Sequence, residues 1–325
     1  MTFPTHRPRR LRSTSALRDL VAECKLSPTD FIMPYFVLEG AKEPKEIASL
    51  EGVSQHSLSS LIKDVRECYE SGIKAVIIFG IPANKDLMGS GAYARDGVVQ
   101  TAAREIRDHF GDDIVVFADL CLDEYTDHGH CGLIDQSGRV DNDSTLELYQ
   151  KIAISQAEAG VHFVAPSGMM DGQVKAIRSA LDESGFDEVG VLAYAVKYAS
   201  GLYGPFRDAV NVQIVGGGDR KGYQQDFRNS RESLREVRLD VSEGADMVMV
   251  KPAVTYLDVI AQVRELVEIP VCAYHVSGEY AMIKAASNLG WIDGDAVALE
   301  QMYAIKRAGA DVIISYFAKE IVSSL

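Results

Sequence analysis

Two lysines follow directly on short apolar runs. Lys197 closes GVLAYAV (Gly190 to Val196) and Lys251 closes MVMV (Met247 to Val250). An amine held at the end of a buried strand loses hydration, and desolvation favours its neutral form. A neutral lysine can attack a ketone and form a Schiff base. One such lysine is explained equally well by a side chain that snorkels its head into water. Two on consecutive apolar segments are harder to dismiss, because neighbouring ammonium groups repel and a neutral amine relieves the repulsion. Other polar residues end similar segments: Asp119 and Cys121, Ser167, Ser277 and Tyr316. Arg207, Arg220 and Lys221 lie in one long connection and suit a carboxylate, while the Ser277 and Tyr316 hydroxyls offer a second anion site. Two amines and two anion sites fit a pair of keto acids handled together. Cys121, Asp123, His128, His130 and Cys131 fall close together. Their thiolate, carboxylate and imidazole groups are competent zinc ligands, although the spacing is not that of a zinc finger.

These residues can meet only if the segments that carry them converge. Eight β-rich segments recur: 31–38, 75–81, 114–122, 163–167, 190–196, 247–250, 271–276 and 312–317. Helix-like periodicity fills most of the intervals, as in Leu58, Leu61, Ile62, Val65 and Cys68. Glycines 72, 160, 244 and 309 stand just before later strands, where a left-handed helix end is needed. This alternation predicts an α/β fold, a (β/α)8 TIM barrel. An open doubly wound sheet is the runner-up, but no G-x-G-x-x-G follows the first strand. In a barrel the chemistry gathers at the C-terminal ends of the strands, where all these polar residues stand. Two connections there are unusually long, 123–143 and about 200–231. The second contains GGGDRKGYQQDFRNS, which suits an active-site lid.

The 325 residues carry a net charge of −14, which disfavours nucleic acid and anionic membranes as partners. No apolar run is long enough to cross a bilayer. Five scattered cysteines do not form a secreted disulfide framework, so a reducing cytoplasm is expected. Residues 1–30 form a separate unit ahead of a single barrel domain at 31–325. Pro4, Pro8 and the basic run HRPRRLR read as an extended arm that docks on a neighbouring subunit.

The chain resembles the porphobilinogen synthase (5-aminolaevulinate dehydratase) family. The matching stretches are RPRRLR, FADLCLDEYTDHGHCG, VAPSGMMDG, YGPFRDA, GADMVMVKPAVTY and AYHVSGEYAMIKAA, ending in SYFA, and they span nearly the whole chain. The resemblance implies a lyase that condenses two 5-aminolaevulinate molecules into porphobilinogen in tetrapyrrole synthesis. It implies a TIM barrel with an N-terminal arm, assembled as a homo-octamer. Lys251 matches the lysine that holds the first substrate as a Schiff base, and Lys197 the lysine for the second. Ser277 and Tyr316 match the ligands of the first carboxylate, and Arg207, Arg220 and Gln224 match groups of the second half-site and its lid. Asp119 and Ser167 match polar residues beside the reacting amines. Glu236 matches a position near a subunit interface where Mg²⁺ binds. No organic cofactor is implied.

One departure bears on the metal. Zinc-using members carry three cysteines in the third segment, whereas magnesium-type members carry alanine and aspartate at two or more of these places. Here the set is Cys121, Asp123 and Cys131. Replacing one thiolate by a carboxylate weakens a soft zinc site and admits harder ions. A weak or absent active-site metal, with stimulation by Mg²⁺, is therefore expected. The competing readings are another Schiff-base barrel, such as an aldolase that needs one lysine, and a silent barrel kept for assembly.

Overall fold

A computed structural model describes residues 3–215 and 218–325. Strands β1 (Phe31–Leu38), β4 (Ala75–Ile81), β5 (Val115–Leu120), β6 (Phe163–Pro166), β7 (Gly190–Lys197), β8 (Met247–Lys251), β9 (Val271–His275) and β10 (Val312–Ser315) pair in parallel in that order. Pairing of β10 with β1, at Phe31 with Ile313, closes the barrel. The expected eight strands are thus all present, with small differences in length at their ends. A short ribbon, β2 (Lys45–Glu46) and β3 (Ser54–His56), follows β1 and pairs with its end.

The strands are apolar almost throughout because both faces are covered. Inner side chains fill the barrel and outer ones meet the helices. The helices after the strands are α2 (Leu58–Glu70), α3 (Val98–Phe110), α4 (Asn142–Glu158), α5 (Gln173–Glu183), α7 (Arg231–Glu243), α8 (Leu257–Leu266), α9 (Ser277–Asn288), α10 (Gly294–Ala308) and α11 (Ala318–Val322). In α2 the periodic residues Leu61, Val65 and Cys68 are buried against the sheet. Gly72, Gly160, Gly244 and Gly309 all have positive φ, between 87° and 117°, and turn the chain from helix to strand.

β7 and β8 are out of step. Ala193 faces Val248, but Val196 faces Val250, so β7 carries one extra residue in a bulge between them. Beyond it the ladder resumes with Lys197 opposite Lys251.

Two segments are more ordered than their composition suggests. The N-terminal segment is not continuously extended: Pro8–Arg12 is a 3₁₀ turn and Ser15–Leu20 is a short helix, α1. Proline's fixed φ suits the first position of a helix as well as an extended chain, and the Thr14 hydroxyl caps α1 by accepting from Leu17 N–H. No residue of either turn is buried. The segment expected as a lid contains a helix, α6 (Gly204–Ala209), started by Pro205 in its first turn. Gly216 and Gly217 of its glycine run lie outside the described residues, as do Met1 and Thr2 of the arm.

Candidate active site

The C-terminal mouth of the barrel gathers most of the residues singled out by type. Lys197 and Lys251 close neighbouring strands in register and are each 5% exposed. The Tyr194 ring lies close to both amines, 5.4 Å from Lys197 Nζ and 5.1 Å from Lys251 Nζ. Tyr274, Phe206 and Tyr203 complete an aromatic cage around Lys251, with ring centres 4.3, 5.0 and 5.4 Å from its nitrogen.

Burial pushes the Lys251 amine down to about 7, and the charge of Lys197 pushes the same way, against the pull of Asp119, Asp123 and Glu124. Aromatic faces attract a cation and oppose this shift. The amine is poised between its two forms near neutrality, and the cage would still favour a cationic iminium once one formed.

Asp119, on β5, faces both lysines. Its Oδ2 accepts a hydrogen bond from the Ser167 hydroxyl at 3.2 Å, and its buried Oδ1 has no partner. Burial raises its pKa to about 6, although Lys197 and Lys251 resist the shift. The Lys197 amine donates to the Ser167 carbonyl. Ser167, the residue that follows β6, thus holds both partners in place: its Oγ meets Asp119 and its carbonyl meets Lys197. Directly beyond, Gly168 packs on the Tyr149 hydroxyl so closely that an added Cβ would overlap it. Tyr149 also donates to Cys131 O at 2.7 Å. Gly168→Ala is therefore expected to lower stability by about 1–3 kcal/mol, which urea unfolding would measure.

A cavity of about 260 Å³ opens onto Lys197 and Lys251 and is walled by Arg207, Arg220, Lys221 and Gln224, among others. Arg207, Arg220, Lys221 and Gln224, all expected at the second half-site or lid, therefore share one wall, and Gln224 keeps a buried amide nitrogen without a partner. Ser277 and Tyr316 are nearby in the barrel but are not on this wall. Ser277 Oγ accepts from Phe206 N–H at 3.0 Å, and the Tyr316 hydroxyl meets that of Tyr274 at 3.1 Å. Tyr274 and Phe206 link both to the Lys251 cage.

Cys121, Asp123 and Cys131 are buried, and one donor atom from each lies within 4.8 Å of the others. The donors are close enough to share one ion. The carboxylate is already engaged, however: Arg220 Nη2 is 2.8 Å from Asp123 Oδ2 and 2.9 Å from Gly129 O. Burial is the largest influence and would raise the Asp123 pKa, but the Arg220 guanidinium, with Glu124 and Lys197, outweighs it and holds the carboxyl far below its usual range. An ion at these donors would have to share the carboxylate with a guanidinium, which makes the site a poor one for a cation while Arg220 is in place. Tyr223 reinforces this contact, its hydroxyl meeting His130 Nδ1 at 3.2 Å and accepting from Cys131 N–H at 3.4 Å.

Glu236 lies elsewhere. It is half-buried on α7 and lines a second cavity of about 800 Å³ with Asp171, Asp226 and Glu232; Lys221 and Gln224 border both cavities. Burial raises its pKa, and the charges of Asp171 and Glu232 add to the effect.

Reading by residue type missed Tyr194, Tyr203, Phe206, Tyr274 and Tyr223 as parts of the site. Aromatic residues in apolar strands look like ordinary core. The available signal was local: Tyr194 lies three residues before Lys197, and Tyr203 and Phe206 flank the Gly-Pro that opens α6.

Comparison with known proteins agrees with this geometry. The sequence profile of the family described as delta-aminolevulinic acid dehydratase matches residues 5–324. The chain is 54% identical over 326 residues to the delta-aminolevulinic acid dehydratase of Streptomyces coelicolor, covering 100% of this chain and 98% of that one. It is 52% identical over 321 residues to the enzyme of the same name from Synechococcus elongatus, covering 98% of each. It also resembles the crystal structure of delta-aminolevulinic acid dehydratase (porphobilinogen synthase) from Toxoplasma gondii, solved in complex with the reaction product porphobilinogen. There the TM-score is 0.96 at 44% identity, covering 98% of this chain and 91% of that one. The chain belongs to the delta-aminolevulinic acid dehydratase family.

Proposed function

We propose that the chain condenses two 5-aminolaevulinate molecules into porphobilinogen by way of Schiff bases on Lys251 and Lys197. The reaction is that of the family to which the chain belongs, a lyase of tetrapyrrole biosynthesis. The observation that carries the two-lysine route is the register of β7 and β8, which sets Lys197 opposite Lys251 above the Tyr194 ring.

In this mechanism each amine attacks the ketone of one substrate and releases one water, giving two imines and accounting for both waters lost. The Lys251 imine makes its carbon electrophilic. The Lys197 imine acidifies the adjacent carbon of the second substrate, which loses a proton and becomes an enamine. The enamine carbon forms the C–C bond and the amino group of the first substrate forms the C–N bond. Both lysines then leave as free amines, and loss of ring protons gives the pyrrole. Asp119 faces both amines with an unpartnered oxygen and moves the protons, held by Ser167. Ser277 and Tyr316 take the first carboxylate; Arg207, Arg220 and Gln224 take the second under the closed lid.

Cys121, Asp123 and Cys131 would hold an active-site metal only weakly, as an electrostatic aid to the second substrate, and no step here depends on it. Mg²⁺ is assigned instead to Glu236, away from the lysines, where other carboxylates share the cavity. The assembly is read as a homo-octamer in the cytoplasm, with 1–30 as an inter-subunit arm ahead of the barrel domain. Phe3, Leu11 and Leu20 support this reading, since they are 70%, 55% and 78% exposed and no residue of 3–25 is buried on its own barrel. No helix among the described residues is long and apolar enough to cross a membrane.

Incubation with 5-aminolaevulinate alone is expected to yield a pyrrole that reacts with Ehrlich's reagent; no pyrrole in the presence of either Mg²⁺ or Zn²⁺ would overturn the reading. The pH dependence follows from Lys251. Its amine is protonated below its pKa of about 7 and neutral above. Imine formation with 4-oxopentanoate is expected to rise about tenfold per pH unit below 7 and to level off above it, as stopped-flow absorbance would record.

A further inference from the structure

Glu279 is 2% exposed and lies on α9 two residues after Ser277. Burial raises its pKa to about 7, although backbone N–H groups stabilise the charged form. Its Oε2 accepts from Val276 N–H at 2.7 Å, which is half of a capping box at the start of α9. A helix cap alone would account for that bond. The other oxygen does something a cap does not require: Oε1 accepts from Val254 N–H at 2.7 Å, in the turn three residues beyond Lys251. One carboxylate thus ties the chain leaving β8 to the chain leaving β9. The two tied points flank Lys251 and Ser277. Ser277 is fixed on its other side by Phe206 N–H, and an added Cβ at Gly278 would run into the Leu202 backbone, so the start of α9 cannot shift freely.

We propose that Glu279 is a positioning residue that sets the separation between the Lys251 amine and the Ser277 hydroxyl, and with it the length of keto acid the first half-site accepts. The inference rests on the reading above, in which Lys251 takes the ketone and Ser277 the carboxylate of one substrate. Both partners of Glu279, Val254 and Val276, offer a backbone N–H, so the side chain must present two acceptors. Glutamine supplies only one acceptor and turns an N–H₂ towards a donor, while aspartate keeps the charge but shortens the reach.

The test is borohydride trapping of three ketones on Lys251, read by mass spectrometry: 4-oxopentanoate, the longer 5-oxohexanoate, and butanone, which has no carboxylate. The native chain should favour 4-oxopentanoate over 5-oxohexanoate. In Glu279→Gln and Glu279→Asp this preference should fall on the order of 10- to 100-fold, while butanone is trapped at the native rate. An unchanged preference in both variants, or equal losses for butanone and the acids, overturns the proposal. Ser277→Ala separates the two levels of the argument. If that variant keeps the length preference, the assignment of Ser277 fails. If it loses the preference while both Glu279 variants keep it, only the role of Glu279 fails.

Discussion

Replacing Lys251 by methionine is expected to lower turnover on the order of 10⁴-fold or more and to abolish borohydride labelling by 5-aminolaevulinate at that position. Methionine is the informative substitute because it keeps an unbranched side chain within the cage of Tyr194, Tyr203, Phe206 and Tyr274. Loss of the amine is then separated from collapse of the pocket, which alanine would risk. Removing a buried charge with a lowered pKa should leave stability unchanged or slightly raised. The variant should therefore fold well and do no chemistry. Lys197→Met should also lose turnover, yet still trap one substrate on Lys251. Full labelling of Lys251→Met would move the first Schiff base elsewhere. Loss of all labelling in Lys197→Met would show that the two amines act only as a unit. Circular dichroism and a urea melt beside each assay establish that the fold is intact.

Asp123→Ala is expected to loosen the segment from Gly218 to Gln225. The Asp123–Arg220 pair is almost fully buried, with side chains 4% and 10% exposed. Breaking such a pair by removing one partner costs about 3–5 kcal/mol, because the other charge is left without compensation. Arg220 sits on a surface connection, so the cheaper outcome is for it to swing into water and take the segment with it. Amide exchange at Tyr223 and Gln224 should then accelerate about 100-fold, the factor that corresponds to roughly 3 kcal/mol of local opening. kcat/KM should fall with it, through the second substrate. Asp123→Cys would supply a third thiol but no carboxylate for Arg220. It is expected to bind Zn²⁺ more tightly than the native chain, by calorimetry, and to loosen the segment unless Zn²⁺ is present. Unchanged exchange in Asp123→Ala would show that this ion pair does not hold the segment.

The barrel was legible because parallel strands covered on both faces leave continuous apolar runs, and glycines mark the returns from helix to strand. The lysines were legible because a charged residue at the end of such a run is out of place. The pairing of Arg220 with Asp123 was not. Both residues were read by what they could bind from outside, one a carboxylate and the other a metal, and residue type alone gives no sign that each satisfies the other. The aromatic cage was hidden for the opposite reason: its members look like the core around them. The N-terminal turns were missed because proline fits the start of a helix and an extended chain equally well.

The bulge in β7 has a consequence of parity. Tyr194 and Lys197 are three residues apart, an odd interval that in a regular strand sends two side chains to opposite faces. Here both reach the interior, one as ring and one as amine. From Val248 to Lys251 the interval is three, while from Ala193 to Lys197 it is four, and only the extra residue reconciles the two counts. The reactive pair is therefore commensurate by one residue. On the proposed mechanism, chain length in 194–195 matters to the chemistry as much as the lysines themselves. An insertion there, or deletion of Ala195, would leave every named site residue present in the sequence and put two of them out of phase.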